Sequence, residues 1–291
     1  MSKRSVLLHL DADDHPSVFD RVVAVDAGVD VLLSHGSVKV GQVRDLVHGA
    51  IFTRGPKDLN RTALFVGGSN VEKAEELYSE ARKHLLPQYG LRVSMMLDAN
   101  GCNTTAVAAV RAVMASVPCS GARALVLAGT GPVGQRVVSL LARLGCAVRL
   151  ASRQLDRAEA AARAIMCKRP GAIIEAVAPA NAFDMSRALE DCDILVACGA
   201  AGIRLVDHGI WSKKRLKVVV DLNGVPPMGI EGIEPFDSGE EREGAICHGA
   251  LGVGGFKMKL HKACISSLFE TNQLELEEDA IFDRAVILAG G

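Results

Sequence analysis

Short apolar runs alternate along this chain with longer stretches in which apolar residues return every third or fourth position. Runs of strand length lie at 6–10, 31–33, 62–66 and 92–97, then at 124–128, 146–152, 172–177, 193–198 and 217–222. Between them the spacing is helical. Phe19, Val22, Val23 and Val25 lead to Gly28, a residue suited to ending a helix, and similar patterns cover 38–47, 71–86 and 106–116. Later helical patterns fall at 156–168, 185–189, 257–269 and 277–288. Strands alternating with helices predict βαβ units, whose crossovers place helices against a parallel sheet.

One junction is more particular than the rest. The run 124–128 feeds without a break into Gly129-Thr130-Gly131-Pro132-Val133-Gly134, and Val133, Val137, Leu140, Leu141 and Leu144 then share one helical face. Strand, G-x-G-x-x-G turn and helix in that order make the dinucleotide-binding fingerprint. Gly129 makes the tight turn, Gly131 lets backbone approach a pyrophosphate, and Gly134 lets helix and strand pack closely. The helix N-terminus offers N–H groups and a positive dipole end to phosphates. Glycines also gather in ordinary strand-to-helix turns, but the register of all three parts favours a cofactor. The predicted fold class is α/β in two domains. One is a Rossmann-type doubly wound parallel sheet over 106–270; the other is a smaller α/β domain over 1–105, completed by the C-terminal helix in 271–291.

Bulk properties narrow the field. At 291 residues, 49% hydrophobic and 23% charged, the chain has material for two globular cores. Its net charge of −1 gives no field that favours nucleic acid or an anionic membrane, and 4% aromatic residues leave little for base stacking. The eight cysteines form no C-x-x-C pair and no zinc spacing, so they read as reduced thiols of a cytoplasmic protein and no metal is expected. No stretch approaches the roughly 20 apolar residues of a membrane span, and the first apolar run is too short for a signal peptide.

The strand after the glycine turn tells which nucleotide is expected. About 20 residues past such a turn, an Asp or Glu would hydrogen-bond a ribose 2′-hydroxyl. Here the strand ends in Ser152-Arg153, with Arg157 beyond, and no carboxylate stands at its end. Ser and Arg hold a 2′-phosphate through charge-assisted hydrogen bonds, which favours NADP over NAD. Asp156 stands close enough to weigh against that choice. A solvated arginine face on a surface helix is the plain alternative.

No Ser-His-Asp order, H-E-x-x-H or P-loop lysine is present. His9 reads as a core residue, His248 and His261 as hydrogen-bonded structural residues, and Asp11, Asp13 and Asp14 as a solvated loop. Three other stretches are better site material. The polar segment 98–105 leaves a strand end and contains Asp98, Asn100, Asn103 and Thr104, of which Asn103 and Thr104 also suit a helix N-cap. The segment 221–230 leaves another strand end with Asp221, Asn223 and the pair Pro226-Pro227. The third, 252–257, aims a helix start with Gly254 and Lys257 at whatever lies in front. Each is explicable as a loop or cap, yet all three fall where an α/β sheet receives ligands. Asn100, Asn103 and Thr104 are taken as substrate-side candidates; Asp221, Asn223 and Gly254 join the glycine turn on the cofactor side.

The combined segments Pro16-Ser17-Val18-Phe19-Asp20, Ile51-Phe52-Thr53-Arg54-Gly55, Phe65-Val66-Gly67-Gly68, Leu97-Asp98-Ala99-Asn100-Gly101, the glycine turn, and Gly252-Val253-Gly254-Gly255-Phe256-Lys257-Met258-Lys259-Leu260-His261 make the sequence specific. In this order, over nearly the whole chain, it closely resembles the NADP-dependent methylene-tetrahydromethanopterin dehydrogenases of one-carbon-metabolising bacteria, some of which also oxidise methylene-tetrahydrofolate. The resemblance implies hydride transfer from the methylene bridge of the pterin to NADP⁺, giving the methenyl product without a metal. It also implies a pterin bound in the interdomain cleft and a homo-oligomer, a trimer. Lys257 matches the lysine of the family's G-G-[LF]-K segment and is carried over as a catalytic-site residue on the pterin side. Asp98, also a catalytic candidate, and Asn100 match its D-[SA]-N segment and look like pterin-ring ligands. Where relatives have Lys after Arg153 this chain has Gln154, and Arg157 replaces a lysine. Two cations are kept, while tolerance of NAD is left open.

Two rival functions stand beside this one. A shikimate- or quinate-type NADP dehydrogenase shares the two-domain plan, but its proton relay needs a Lys–Asp pair in the first domain that cannot be assigned here. A catalytically silent NADP-binding sensor needs only the nucleotide domain. A cyclohydrolase partner activity would require a base to activate water, and no convincing candidate is present.

Overall fold

The computed structural model describes residues 3–290 and divides into two compact units. Unit 1 comprises residues 1–104 and 258–291, and unit 2 comprises Thr105–Lys257.

Unit 1 opens with β1 (Val6–Asp11), α1 (Val18–Asp26), β2 (Val31–His35), α2 (Val40–Phe52), β3 (Thr62–Gly67), α3 (Val71–Lys83) and β4 (Ser94–Leu97). Capping explains where its helices begin and end. Ser17 Oγ accepts the Asp20 N–H at 3.2 Å to start α1, and Gly28, at φ +85°, turns the chain away after it. Asn70 Oδ1 accepts the Lys73 N–H at 3.0 Å to start α3. The helix α4 (Cys102–Ser116) begins four residues before the apolar pattern predicted, because Asp98 takes up its first N–H groups.

In unit 2 the chain continues through β5 (Arg123–Leu127), α5 (Pro132–Arg143), β6 (Ala147–Ala151), α6 (Leu155–Lys168), β7 (Ile173–Val177), α7 (Ala182–Ala188), β8 (Ile194–Ala197), α8 (His208–Trp211), β9 (Val218–Asp221), β10 (Ser238–Arg242) and β11 (Ala245–His248). Helix α9 (Ala250–Ser267) leads to β12 (Glu275–Leu276) and α10 (Glu278–Gly290).

The sheet of unit 1 has the order β12-β4-β3-β1-β2 with every pairing parallel. Its centre is largely apolar, as a parallel sheet covered on both faces requires: Leu7, Leu10, Ala63, Leu64 and Val66 are buried, and the polar His9 and Asp11 of β1 are buried as well. The sheet of unit 2 runs β10-β11-β9-β8-β5-β6-β7, parallel except for the β10/β11 hairpin. Leaving out β10, this is the strand order of a doubly wound dinucleotide fold, with its switch point between β5 and β8. The predicted fold class is therefore the observed one.

Several details differ from the pattern-based expectation. The hairpin strand β10 carries the polar sequence Ser-Gly-Glu-Glu-Arg and gives no alternation to detect. Unit 1 is closed by the short strand β12 against β4 as well as by the last helix. Finally, residues 249–255 are not a turn before a helix at 257: α9 already starts at Ala250. Close packing explains Gly249 and Gly252, whose β-carbons would lie 2.0 Å from the Glu234 carbonyl oxygen and 1.9 Å from that of Asp237. The second passage of the chain between units falls at Lys257/Met258, inside α9, instead of the expected 270/271. The later part of that helix belongs to the core of unit 1, where His261 stacks on Phe65 with centroids 5.7 Å apart.

Candidate active site

In unit 2 the glycine turn sits at the C-terminal end of β5. Ala128 bends the chain with φ +53°, and the Gly129 N–H bonds the Ala151 carbonyl at 2.8 Å, tying the turn to β6. The three glycines are held for different reasons. A β-carbon at Gly129 would lie 2.8 Å from Leu150 Cγ, and one at Gly134 would lie 2.5 Å from the Ala128 oxygen and 2.8 Å from Gly129 Cα. At Gly131 it would meet nothing nearer than the Ala128 oxygen at 3.5 Å, an ordinary contact. The fold thus requires Gly129 and Gly134, whereas the space in front of Gly131 stays open to a ligand. Thr130 caps nothing; its carbonyl accepts Gln135 Nε2 at 2.8 Å, which steadies the turn. Pro132 occupies the first helical position, and the Val133 and Gly134 N–H groups meet no acceptor among the described residues.

At the end of β6, Ser152 is half-buried, its N–H bonded to the Val177 carbonyl at 3.1 Å and its hydroxyl accepting the Gln154 N–H at 3.3 Å. Arg153 and Arg157 are exposed, and neither enters an ion pair or hydrogen bond among the described residues. Two uncommitted guanidinium groups therefore stand at the strand end where a ribose substituent would be read.

Asp221 and Asn223 are buried instead of facing a ligand. Asp221 accepts the Asn223 N–H at 3.0 Å and the Ile230 N–H at 2.8 Å, and burial pushes its carboxyl above the usual range. Asn223 Oδ1 accepts the Val225 and Gly202 N–H groups, and its Nδ2 donates to the Pro227 carbonyl at 2.9 Å. These side chains shape the loop 222–230, which includes a cis Pro226–Pro227 bond. Gly254 lies within α9 with open space where its side chain would be, and Lys257 is half-buried on the same helix. His248 bonds Ser116 Oγ at 3.1 Å. That hydroxyl donates to the Ala112 carbonyl at 2.9 Å, so the pair is structural.

In unit 1 the segment after β4 divides the same way. Asp98 is fully buried: Oδ1 accepts the Asn103 and Thr104 N–H groups at 2.9 and 3.1 Å, and Oδ2 accepts Thr104 Oγ1 at 2.6 Å. Asn103 Nδ2 donates to the Leu97 carbonyl at 2.6 Å. These three residues build the start of α4. Asn100 is different: exposed, at φ +51°, it makes no side-chain hydrogen bond among the described residues. Asn is one of the few residues that tolerate this left-handed backbone.

Sequence reasoning missed the polar row beneath this loop. Asp11, expected in solvent, is fully buried and accepts the Asp13 and Ser17 N–H groups. Beside it His9 Nε2, 3.6 Å from Asp11 Oδ2, has no hydrogen-bond partner. Burial, with smaller contributions from Arg21 and His35, pushes the His9 imidazole down to about 4. A β-carbon at Gly67 would fall 2.8 Å from His9 Nε2 and 3.2 Å from Asp20 Oδ2, so that glycine makes room for the row. The period-two pairing of Asp11 with His9 on one strand face was a usable signal. Among the described residues there is no group of His, Cys, Asp and Glu able to hold a metal, and no helix long and apolar enough to cross a membrane.

A Rossmann-type unit with an open glycine turn, accompanied by a second parallel α/β unit, defines the class: a two-unit protein of the dinucleotide-binding fold. Comparisons with known proteins make this particular. A family profile described as methylene-tetrahydromethanopterin dehydrogenase, N-terminal, matches residues 18–100. Bifunctional protein MdtA of Methylorubrum extorquens is 40% identical, with 99% of this chain and 100% of that protein covered. A second protein of that organism, named NAD(P)-dependent methylenetetrahydromethanopterin dehydrogenase, is 30% identical over 99% of both chains. The chain belongs to the methylene-tetrahydromethanopterin dehydrogenase family. Among solved structures, shikimate 5-dehydrogenase from Listeria monocytogenes, in complex with shikimate and NAD, superposes with a TM-score of 0.54 over 96% of each chain. At 14% identity that likeness is one of fold.

Proposed function

We propose that this protein transfers a hydride from the methylene bridge of a methylene-tetrahydropterin, tetrahydromethanopterin or tetrahydrofolate, to NADP⁺, leaving the methenyl product. The observation that carries the reading is the relationship, over 99% of both chains, to a protein named NAD(P)-dependent methylenetetrahydromethanopterin dehydrogenase. The uncommitted Arg153 and Arg157 support NADP within that pair of nucleotides.

When bound, the nicotinamide supplies the hydride acceptor. The nitrogen lone pairs flanking the methylene carbon stabilise the cation as hydride leaves, so no general base is required of the protein. Its work is positioning. The N–H groups at the start of α5 and the bare face of Gly131 receive the pyrophosphate, while Ser152, Arg153 and Arg157 hold the 2′-phosphate. Asp221 and Asn223 act through the shape of loop 222–230. On the pterin side Asn100 offers its amide and Lys257 anchors polar ring groups. Asp98, with Asn103 and Thr104, fixes the loop from which Asn100 projects, so we assign it a positioning role.

Purified protein given methylene-tetrahydromethanopterin or methylene-tetrahydrofolate should convert it to the absorbing methenyl form in step with NADP⁺ reduction. Turnover of shikimate instead, or nucleotide binding with no turnover of either pterin, would overturn the reading. Arg153→Asp should reduce kcat/KM for NADP⁺ about 10- to 100-fold and relatively favour NAD⁺, the scale of one or two charge-assisted hydrogen bonds. An unchanged nucleotide ratio would remove the 2′-phosphate assignment.

A further inference from the structure

Three arginines in the described residues lie over aromatic rings, and they are not equivalent. Arg82, 5.1 Å above the Tyr78 ring, also pairs with Glu275 and Glu277. Arg61, 5.9 Å from the Phe269 centroid, has Asp30 at 3.7 Å and the Lys3 carbonyl at 3.0 Å. Arg111, on α4, stacks closest of the three, with Cζ 4.2 Å from the Phe256 centroid. Yet it makes no ion pair and no hydrogen bond among the described residues, and its Nε is buried without an acceptor. The residue is half-buried.

Such an arrangement holds a charge without neutralising it. A guanidinium has five donors in a fixed plane, and a carboxylate or phosphate engages two of them at once. A ring face beneath the plane limits its rotation while leaving the donor edge available. Partial burial strengthens attraction to an incoming anion and leaves unmet donors costly in its absence. The supporting ring belongs to Phe256, the neighbour of Lys257, which the reading above gives to the pterin.

We propose that Arg111 binds an anionic group, carboxylate or phosphate, on the tail of the pterin substrate, with Phe256 as the positioning residue that holds the guanidinium plane. The proposal rests on the dehydrogenase reading for the identity of the substrate. The dinucleotide's own phosphates offer the same chemistry from a second source, so the test has to separate the two.

Steady-state kinetics on the full-length protein can do this with methylene-tetrahydrofolate and with the same substrate whose tail carboxylates are blocked as amides. Arg111→Gln should raise KM for the acidic substrate at least tenfold, leaving kcat and the nucleotide KM unchanged. With the blocked substrate, wild type and variant should have the same KM. Arg111→Lys, which keeps a charge but loses the planar fork, should fall between them. Phe256→Leu should raise KM in the same direction by a smaller factor, and the double variant should be less than multiplicative. A thermal melt establishes that each variant is folded. An equal loss with blocked and acidic substrates, a raised nucleotide KM, or no change at all would overturn the assignment. If wild type turns over neither pterin, the dehydrogenase reading fails, and Arg111 is tested by calorimetric titration with p-aminobenzoylglutamate. Binding to wild type that Arg111→Gln loses keeps the anion site; absence of binding to wild type ends it.

Discussion

The two units carry the same kind of parallel sheet, and the C-terminal strand ends of each are where a ligand is expected, yet they use their polar residues in opposite ways. After β4 in unit 1, Asp98, Asn103 and Thr104 turn inward and bond one another and their own backbone. After β5 and β6 in unit 2, the turn around Gly131 and the side chains of Arg153 and Arg157 are left uncommitted. Asp221 and Asn223, although in unit 2, follow the unit 1 pattern. Carboxylates and amides in site-like motifs here build loops, whereas bare backbone, exposed cations and one exposed Asn are what a ligand would meet. The experiments that follow are meant to break that division.

The largest effect is expected where a glycine is required by the fold. A side chain at Gly134 would drive into the backbone of Ala128 and Gly129, and backbone cannot give way as a flexible side chain can. Gly134→Val should cost on the order of 4 kcal/mol, beyond typical overpacking, or abolish folding of the unit. Gly131→Ala should leave the melting temperature of the free protein nearly unchanged, within about 0.5 kcal/mol, because its β-carbon meets only an ordinary contact. Under the proposed function its NADP⁺ affinity should nonetheless fall at least about tenfold, since the methyl group would occupy the space assigned there to the pyrophosphate. Thermal melts with and without nucleotide measure both. Equal destabilisation by the two substitutions would erase the distinction.

Asp98 tests the closed side. Asp98→Ala leaves two N–H groups and a hydroxyl buried without their acceptor, and should cost about 3 kcal/mol in denaturant unfolding. Asp98→Asn keeps an oxygen for the two N–H groups, so it should fold and retain kcat within a few-fold. A hundredfold loss of kcat in that variant, with its melt unchanged, would instead make the carboxylate a participant at the reacting atoms.

These contrasts also show what could be read in advance. The glycine turn was legible because strand, turn and helix are contiguous, so local spacing carries the whole signal. The loop motifs at 98–105 and 221–230 were legible as positions, but which side chains face outward was not. That depends on which N–H groups fold back on Asp98, Asp221 and Asn223, and the pairings are made only when the loops close. The run 249–255 failed for a related reason: what Gly249 and Gly252 accommodate is the backbone of residues 234–237, invisible to local spacing. Polar β10 and two-residue β12 had no periodicity to offer.

The row beneath the unit 1 loop gives a smaller effect, read through pH. The His9 imidazole is held down to about 4 in the folded protein, against 6.5 for an unburied group. The unfolded chain therefore binds the proton more readily, and stability is fully present above about pH 6.5. It is lost as pH falls toward 4, amounting to about 2 kcal/mol between pH 7 and 5. Asp11 is displaced upward by burial and acts in the opposite sense, through the lower carboxylate range. Comparing unfolding of wild type and His9→Gln at pH 7 and 5 isolates the histidine. If both lose stability equally, the imidazole is not the group responsible.

The smallest effect asks whether openness in α9 is meant for a ligand. Gly249 and Gly252 meet backbone where a side chain would go, but Gly254 and Gly255 meet nothing within 4 Å. Glycine inside a helix costs about 1 kcal/mol relative to alanine, so the fold alone would be better served by alanine at Gly254. Gly254→Ala should raise the melting temperature of the free protein by about 2–4 °C. If that bare position exists so that the cofactor can approach, the same variant should bind NADP⁺ more weakly, and nucleotide should stabilise it less than it stabilises wild type. A gain in melting temperature with undiminished nucleotide binding would show that the space at Gly254 serves neither fold nor cofactor, and would remove it from the site.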